Sequence, residues 1–286
     1  MSPVHDFAPP DLERVAEEVA RALAEDLGQG DVSTDLVADR PAQARIVCRE
    51  DAVLCGGAWV EAAFRALDPA AVISWHYRDG GRVGPGATVC EIAARSRALL
   101  SAERTALNFL QMLSATASET ARYAAALSGT GTRLLDTRKT LPGLRHAQKY
   151  AVRCGGGINH RIGLFDAVML KENHIAAAGS ISAAMQAARA RHPGLPLIVE
   201  VETLDELDQV LSAGGCTRVL IDDFDAAQRE EAVRRCRGRQ ALEVSGGVSL
   251  ESLADIARSG VDFVSVGGIT KHIRAVDFSL RIIEGA

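Results

Sequence analysis

Apolar positions in the first third of the chain change period several times. Residues 11–27, DLERVAEEVARALAEDL, place Leu12, Val15, Val19, Leu23 and Leu27 at helical spacing among charged residues, which predicts an amphipathic helix. Short apolar runs follow: ARIVCRE (44–50), AVLCGG (52–57), VISWHYR (72–78) and ATVCEIAA (87–94), with GRVGPGA (81–87) supplying turns. Together they predict a small α+β domain. A long helical segment over about 98–127 comes next, with Ser101 as candidate N-cap and Arg104 in its first turns.

The rhythm then changes. Six apolar runs appear: TRLLDT (132–137), DAVMLKEN (166–173), LPLIVEVET (195–203), TRVLIDDF (217–224), ALEVSGGV (241–248) and DFVSVGGIT (262–270). Helical patterns separate most of them: 181–192, 204–215, 226–238 and 250–260. Such βα repetition predicts a parallel sheet. Each run ends in chemically useful groups: Asp136, Lys171, Glu200 with Glu202, Asp222, Ser245–Gly247 and Gly267–Gly268. Active sites of α/β barrels sit at the C-terminal strand ends. Six strand ends converging on one chemistry suit an incomplete TIM-like α/β barrel behind an N-terminal α+β sandwich-like domain. The expected division is 1–114 for the N-terminal domain and 115–286 for the barrel, with the last residues a candidate to pack back on the first domain.

Composition narrows the class. The 286 residues are 47% hydrophobic and 24% charged, the balance of a globular protein. No apolar run reaches the ~18–20 residues of a membrane span, and the N-terminal MSPVHDFAPPDLERVAEE lacks the basic start and apolar core of a secretory leader. The cytoplasm is the expected location. The six cysteines form no CxxC pair and are expected to be free thiols.

Charge is distributed unevenly. Residues 133–174 hold Arg133, Arg138, Lys139, Arg145, Lys149, Arg153, Arg161 and Lys171 against Asp136, Asp166 and Glu172, inside a chain of net charge −5. This local reversal predicts a pocket for a small, highly anionic ligand rather than a nucleic-acid groove. Arginine holds a planar carboxylate with two hydrogen bonds, so Arg138 and Arg161 suit carboxylates; Lys139 and Lys171 suit phosphate charge or a second carboxylate. RKTLPG (138–143) lacks the glycines of a P-loop, and GGG (155–157) reads as a turn presenting His160 and Arg161. Glu200 and Glu202, two apart on a strand, are expected to share a face with Asp222 nearby, a donor set for Mg²⁺ or ribose hydroxyls. The glycines of SGG (245–247) and GG (267–268) let backbone N–H groups approach a phosphate.

Read together, SAERTALNFLQMLS (101–114), DTRKTLPGLR (136–145), QKYAVRCGGGINHRIGLFDAVMLKENH (148–174), VEVET (199–203), LIDDF (220–224), EVSGGVSL (243–250) and SVGGITKH (265–272) resemble the quinolinate phosphoribosyltransferases, nearly end to end. The resemblance implies an N-terminal sandwich-like domain, an incomplete barrel, and a homodimer, alone or built into larger rings. Arg104 then reaches the partner's quinolinate. Arg138, His160, Arg161 and Lys171 surround the two pyridine carboxylates, Lys139 lies on the phosphate side, and Thr137 and Val266 join the substrate-binding set. Glu200 and Asp222 match the acidic groups near Mg²⁺ and ribose, with Glu202 a candidate for the same role. Ser245, Gly246, Gly247, Gly267 and Gly268 match the 5′-phosphate binder. Two positions depart from the family pattern: Gly268, where many members have Ala, and Asp223, often Asn.

The implied reaction joins quinolinate to 5-phosphoribosyl 1-diphosphate and releases diphosphate and carbon dioxide, with Lys139, Lys171, Glu200 and Asp222 as catalytic groups. Either Lys171 or His160 protonates the ring carbon. Three rivals stand beside it: a Schiff-base aldolase built on Lys171, a non-catalytic anion binder, and a related transferase acting on another pyridine acid.

Overall fold

The Asp11 side chain accepts the backbone N–H groups of Glu13 and Arg14 and so starts helix α1 (Leu12–Leu27), which buries Val15, Val19 and Leu23. The computed structural model describes residues 8–283. The first seven residues, part of the segment read for a leader, and the last three lie outside the described residues. Along the chain follow β1 (Pro41–Cys48), β2 (Ala52–Val53), α2 (Gly57–Leu67), β3 (Val72–Trp75), β4 (Arg82–Val83), β5 (Thr88–Arg95) and α3 (Ser96–Ala126). Then come β6 (Arg133–Leu135), α4 (Arg145–Cys154), β7 (Val168–Leu170), α5 (Glu172–Ala178), α6 (Ile181–Arg191), β8 (Leu197–Val201) and α7 (Leu204–Ala213). The chain finishes with β9 (Arg218–Asp222), α8 (Ala226–Cys236), β10 (Ala241–Ser245), α9 (Leu253–Arg258), β11 (Phe263–Ser265), α10 (Gly268–Lys271) and β12 (Phe278–Ile282). No described helix is long and apolar enough to cross a membrane.

The fold divides into two units. The first takes the described residues up to 121, with 141–156 and 269 onward; the second takes 122–140 and 157–268. In the first, an antiparallel sheet runs β12-β1-β5-β3. The C-terminal strand pairs with β1, from Ala44 opposite Ile282 to Cys48 opposite Phe278.

Two expectations change here. AVLCGG is a strand only at Ala52–Val53. The Cys55 backbone N–H donates to Ser114 Oγ at 2.9 Å, and that hydroxyl donates to the Cys55 carbonyl at 3.1 Å, so a side chain of α3 replaces a strand partner. Gly56 then turns at φ 120°, and GAWVEAAFRAL forms α2, burying Trp59, Val60, Ala63 and Phe64 at helical spacing. The long helix begins at Ser96, so Ser101 lies within it and is no cap; its hydroxyl donates to Asp31 Oδ2 at 2.9 Å.

All six cysteines are free and buried. Cys55, Cys154 and Asp79 bring side-chain atoms within 4.8 Å of one another. Asp79 already accepts from the Gly56 and Gly57 N–H groups at 3.2 Å each and from the Tyr150 hydroxyl at 2.9 Å, which accounts for the trio as a packed polar seam. Trp59 anchors the same core. Its ring packs on Phe109 and Tyr150, with centroids 6.4 and 5.8 Å away, and its indole N–H donates to the buried Glu18 at 2.8 Å.

The second unit is a six-stranded parallel sheet in the order β6-β11-β10-β9-β8-β7. Strands β6 and β7, neighbours in the chain, sit at opposite edges. The order is that of a barrel whose ring is not closed by hydrogen bonds. The register sets Ile198 beside Arg218, Glu200 beside Leu220 and Asp222 beside Ser245. Alternation therefore gives Ile198, Glu200, Arg218, Leu220, Asp222, Ala241, Glu243 and Ser245 one common face.

Trp59→Ala removes an aromatic core and strands the Glu18 carboxylate. Denaturant unfolding is expected to show a loss of about 3–5 kcal/mol, and a loss below 1 kcal/mol would contradict the anchoring role.

Candidate active site

The basic stretch of the sequence does not stay together. Arg145, Lys149 and Arg153 lie on α4 in the first unit, with Lys149 buried. Arg133, at the start of β6, sets its guanidinium 4.4 Å from the centre of the Phe263 ring, away from the strand's C-terminal end. Arg138, Lys139, Arg161 and Lys171 remain as the cations of the second unit's strand ends.

In sheet order those ends carry a legible sequence of charge. After β6 come Thr137, Arg138 and Lys139; after β11, Val266, Gly267 and Gly268; at β10, Ser245, Gly246 and Gly247; at β9, Asp222; in β8, Glu200; after β7, Lys171. Cations and glycines thus occupy one arc and carboxylates the other, closed by a lysine.

The β6 end is tied down from below. Asp136, fully buried, accepts the His160 N–H on Oδ1 at 2.8 Å and the Asn159 side-chain N–H on Oδ2 at 2.7 Å. Backbone bonds from Ile158 to Leu134 (2.9 Å) and from Asp136 to Ile158 (3.1 Å) lay this segment along β6. Arg161 follows directly. Its guanidinium donates to the Ala167 carbonyl at 3.3 Å, while Asp166 accepts the N–H groups of Ile162 and Gly163. Burial first, and then the charge of Arg138, push the Arg161 guanidinium below its ordinary pKa. Two like charges held as neighbours are relieved by an anion between them.

His160 is turned inward. The Arg161 backbone N–H donates to its Nδ1 at 2.7 Å, and its Nε2 faces Glu243 Oε2 at 3.3 Å. Lys171 meets Glu200 Oε2 at 2.5 Å, and its backbone N–H donates to His174 Nδ1 at 3.2 Å. Glu200 is buried. Glu202, expected to share its face, lies past the end of β8, exposed, with its backbone N–H bound to Glu206 at 2.8 Å. Glu200, Glu202 and Asp222 do not form a three-ligand cluster among the described residues.

On the opposite arc, Lys139 lies across Gly267: a Cβ at that glycine would fall 2.8 Å from Lys139 Cδ and 3.2 Å from Thr137 Oγ1. The Lys139 N–H donates to Thr137 Oγ1 at 3.0 Å. Val266 is buried and its N–H is spent on the Leu135 carbonyl at 2.9 Å. Gly246 (φ 89°) and Gly247 (φ 53°) are both left-handed, as is Asp223 (φ 53°), whose carboxylate fills the space a Cβ on Gly246 would need. Arg104 is exposed on α3, in the other unit.

Sequence reasoning missed Glu243 and Arg218. Glu243 has no exposed surface, and Arg218 Nε lies 2.8 Å from its carboxylate. The signal was available: ALEVS sets a glutamate inside an apolar strand two places before Ser245.

A parallel sheet whose strand ends oppose a cationic, glycine-rich arc to a carboxylate arc defines an enzyme of small anionic substrates. The family models for quinolinate phosphoribosyl transferase match both parts of the chain, the N-terminal domain over residues 31–114 and the C-terminal domain over 116–281. The chain belongs to the quinolinate phosphoribosyl transferase family. A nicotinate-nucleotide pyrophosphorylase [carboxylating] from Mycobacterium leprae is 41% identical, over 95% of this chain and 98% of its own. The structure of the nicotinate-nucleotide pyrophosphorylase from Francisella tularensis superposes with a TM-score of 0.93 at 44% identity, covering 99% of this chain and all of that one. That of NadC from Streptococcus pyogenes gives 0.93 at 36%, covering 97% and 100%.

Two outcomes follow from the geometry. Gly246→Ala forces a Cβ onto the Asp223 carboxylate at a left-handed φ, a strain of about 1–3 kcal/mol; calorimetry should show the destabilisation, and titration with inorganic phosphate should show weakened binding. For Glu243, burial pushes the carboxyl up, but its contacts with His160, Arg218 and Ser265 outweigh that and hold it below its ordinary 4.5. A depressed folded value contributes stability above the unfolded pKa, lost as pH falls through the folded one. Melting temperature should therefore drop on acidification below pH 4.5, and Glu243→Gln should flatten that limb; an unchanged slope would contradict the assignment.

Proposed function

We propose that the second unit transfers the 5-phosphoribosyl group of 5-phosphoribosyl 1-diphosphate to the ring nitrogen of quinolinate and decarboxylates the product. The products are nicotinate mononucleotide, diphosphate and carbon dioxide, so the enzyme is a pentosyltransferase of NAD biosynthesis. The observation that carries this reading is placement: Arg138 follows β6, and Arg161 ends the segment whose backbone bonds lay it along β6, two guanidiniums that suit a planar dicarboxylate.

Binding brings together two anions that would repel in water. Arg138 and Arg161 hold the quinolinate carboxylates. Lys139, lying over Gly267, faces the phosphate-bearing substrate, and the turns at Ser245–Gly247 and Gly267–Gly268 offer N–H groups to its 5′-phosphate. The ring nitrogen attacks the anomeric carbon as the bond to diphosphate breaks. Glu200 and Asp222 stabilise the oxocarbenium-like charge. The pyridinium charge then stabilises the electron pair left on the ring carbon when the adjacent carboxylate departs as carbon dioxide, and that carbon takes a proton. Both ring nitrogens of His160 face protein groups, which favours Lys171 as the proton donor. Lys171 Nζ is engaged with Glu200 Oε2 at 2.5 Å, a contact that argues against a Schiff base.

Glu200 and Asp222, oxygen donors on adjacent strands, fit Mg²⁺, a hard cation that takes one or two carboxylates together with substrate phosphates. When bound, it supplies positive charge to the leaving diphosphate. Glu202, just beyond, is the further candidate. The exposed position of Arg104 suits a homodimer in which that arginine reaches the partner's quinolinate. The cytoplasm is the proposed location.

The test is turnover with Mg²⁺, 5-phosphoribosyl 1-diphosphate and either quinolinate or nicotinate. Equal release of mononucleotide and carbon dioxide from quinolinate alone is expected; product from nicotinate would move the assignment to another pyridine acid. Arg138→Ala should raise the quinolinate KM by roughly 10-fold or more. Normal turnover and affinity in that variant would sink the carboxylate clamp.

A further inference from the structure

Beneath the strand ends lies a charged chain that contributes no group to the reaction described above. Glu243 stands mid-strand in β10, on the face that also bears Ser245 and Asp222, and is completely buried. A bare carboxylate there is costly unless cations meet it. Arg218, at the start of β9, reaches it with Nε at 2.8 Å; the arginine side chain is 15% exposed. Its guanidinium also rests 4.9 Å from the centre of the Phe263 ring, which limits where it can go. Neither carboxylate oxygen meets an aligned donor, so these contacts are ionic in character.

The chain continues upward through His160. Because the Arg161 N–H donates to Nδ1 at 2.7 Å, that nitrogen carries its lone pair, and the imidazole proton resides on Nε2. Nε2 is the atom that faces Glu243, at 3.3 Å. A ring with the proton on Nδ1 would set two donors against each other at Arg161 and a lone pair against the carboxylate. Glu243 therefore selects the tautomer, and the tautomer fixes the main chain of Arg161. Arg218 holds Glu243 in place; its Nη2, itself a donor, comes within 3.4 Å of the same imidazole nitrogen, and the Glu243 Oε2 that both groups approach offsets the two donors.

We propose that Glu243 and Arg218 are positioning residues for quinolinate: through the Nε2-protonated His160 they set the Arg161 main chain and guanidinium at the mouth, without touching substrate. The inference rests on the assignment of Arg161 to a quinolinate carboxylate.

The first measurement needs no variant. Imidazole ¹⁵N chemical shifts of the histidine-labelled enzyme, with His160 assigned by its loss in His160→Gln, should show the proton on Nε2; a proton on Nδ1 overturns the proposal. Kinetics of Glu243→Gln and Arg218→Gln then follow, both substrates being varied. The expected result is a quinolinate KM raised roughly 10-fold, a KM for 5-phosphoribosyl 1-diphosphate within about twofold of the parent, and a changed His160 shift. Equal rises in both KM values, or a fall in kcat alone, would reveal a merely structural part and overturn it. Should Glu243→Gln fail to fold, the more exposed Arg218→Gln decides in the same way. Arg161→Ala separates the two levels. If it leaves the quinolinate KM unchanged, the substrate assignment fails and the proposal with it. If it raises that KM while Glu243→Gln and Arg218→Gln do not, the positioning role alone is overturned.

Discussion

One buried carboxylate organises the cationic side of the site. Asp136 has no exposed surface, and a carboxylate so placed must have its lone pairs met. It meets them by accepting from the His160 backbone and the Asn159 side chain. The segment 158–161 is thereby laid along β6 and delivers Arg161 beside Arg138. An arginine on an untethered loop would lose side-chain and backbone entropy on meeting its ligand. Here much of that ordering is done in advance, by a group that itself never leaves the interior.

The arcs of charge around the sheet follow from strand order rather than from proximity in sequence. Lys171 and Glu200 are 29 residues apart, yet β7 and β8 are neighbours, so they pair. Lys139 and Gly267 are far more distant, yet β6 and β11 are neighbours, so the lysine lies over the glycine. The same order sets Asp222 of β9 beside the Ser245–Gly247 turn and Glu200 of β8 one strand further on. On the proposed function, the dicarboxylate and the phosphate ester meet different cations.

Much of this was legible in the amino-acid pattern. All six parallel strands sit where the apolar runs predict, because buried parallel strands read as continuous hydrophobic stretches. Their order around the sheet was not legible, since pairing is a tertiary property. AVLCGG shows a local failure: its apolar residues suit a strand, but Ser114 and Ser118 of α3 supply hydroxyl partners that a reading of local propensity does not see. The shared face expected of Glu200 and Glu202 fails for a related reason, since the two-residue alternation holds only while the strand lasts, and β8 stops at Val201. The count of cations was right and its grouping was not, because α4 carries three of the eight into the other unit.

The inward turn of His160 bears on how such barrels divide labour. A histidine beside an arginine in a glycine-rich loop invites a catalytic reading, since imidazole is the usual proton carrier near neutrality. Here one ring nitrogen serves the backbone of the next residue and the other faces a buried glutamate. A proton delivered from that ring would leave Nε2 and give up the contact with Glu243. Lys171 is under no such constraint: its ammonium has three donors, one of which meets Glu200, and its stem comes from a strand end rather than a loop. In the proposed reaction the rigid side of the site therefore binds and orients, and the lysine side is the one that can move a proton without dismantling its own support.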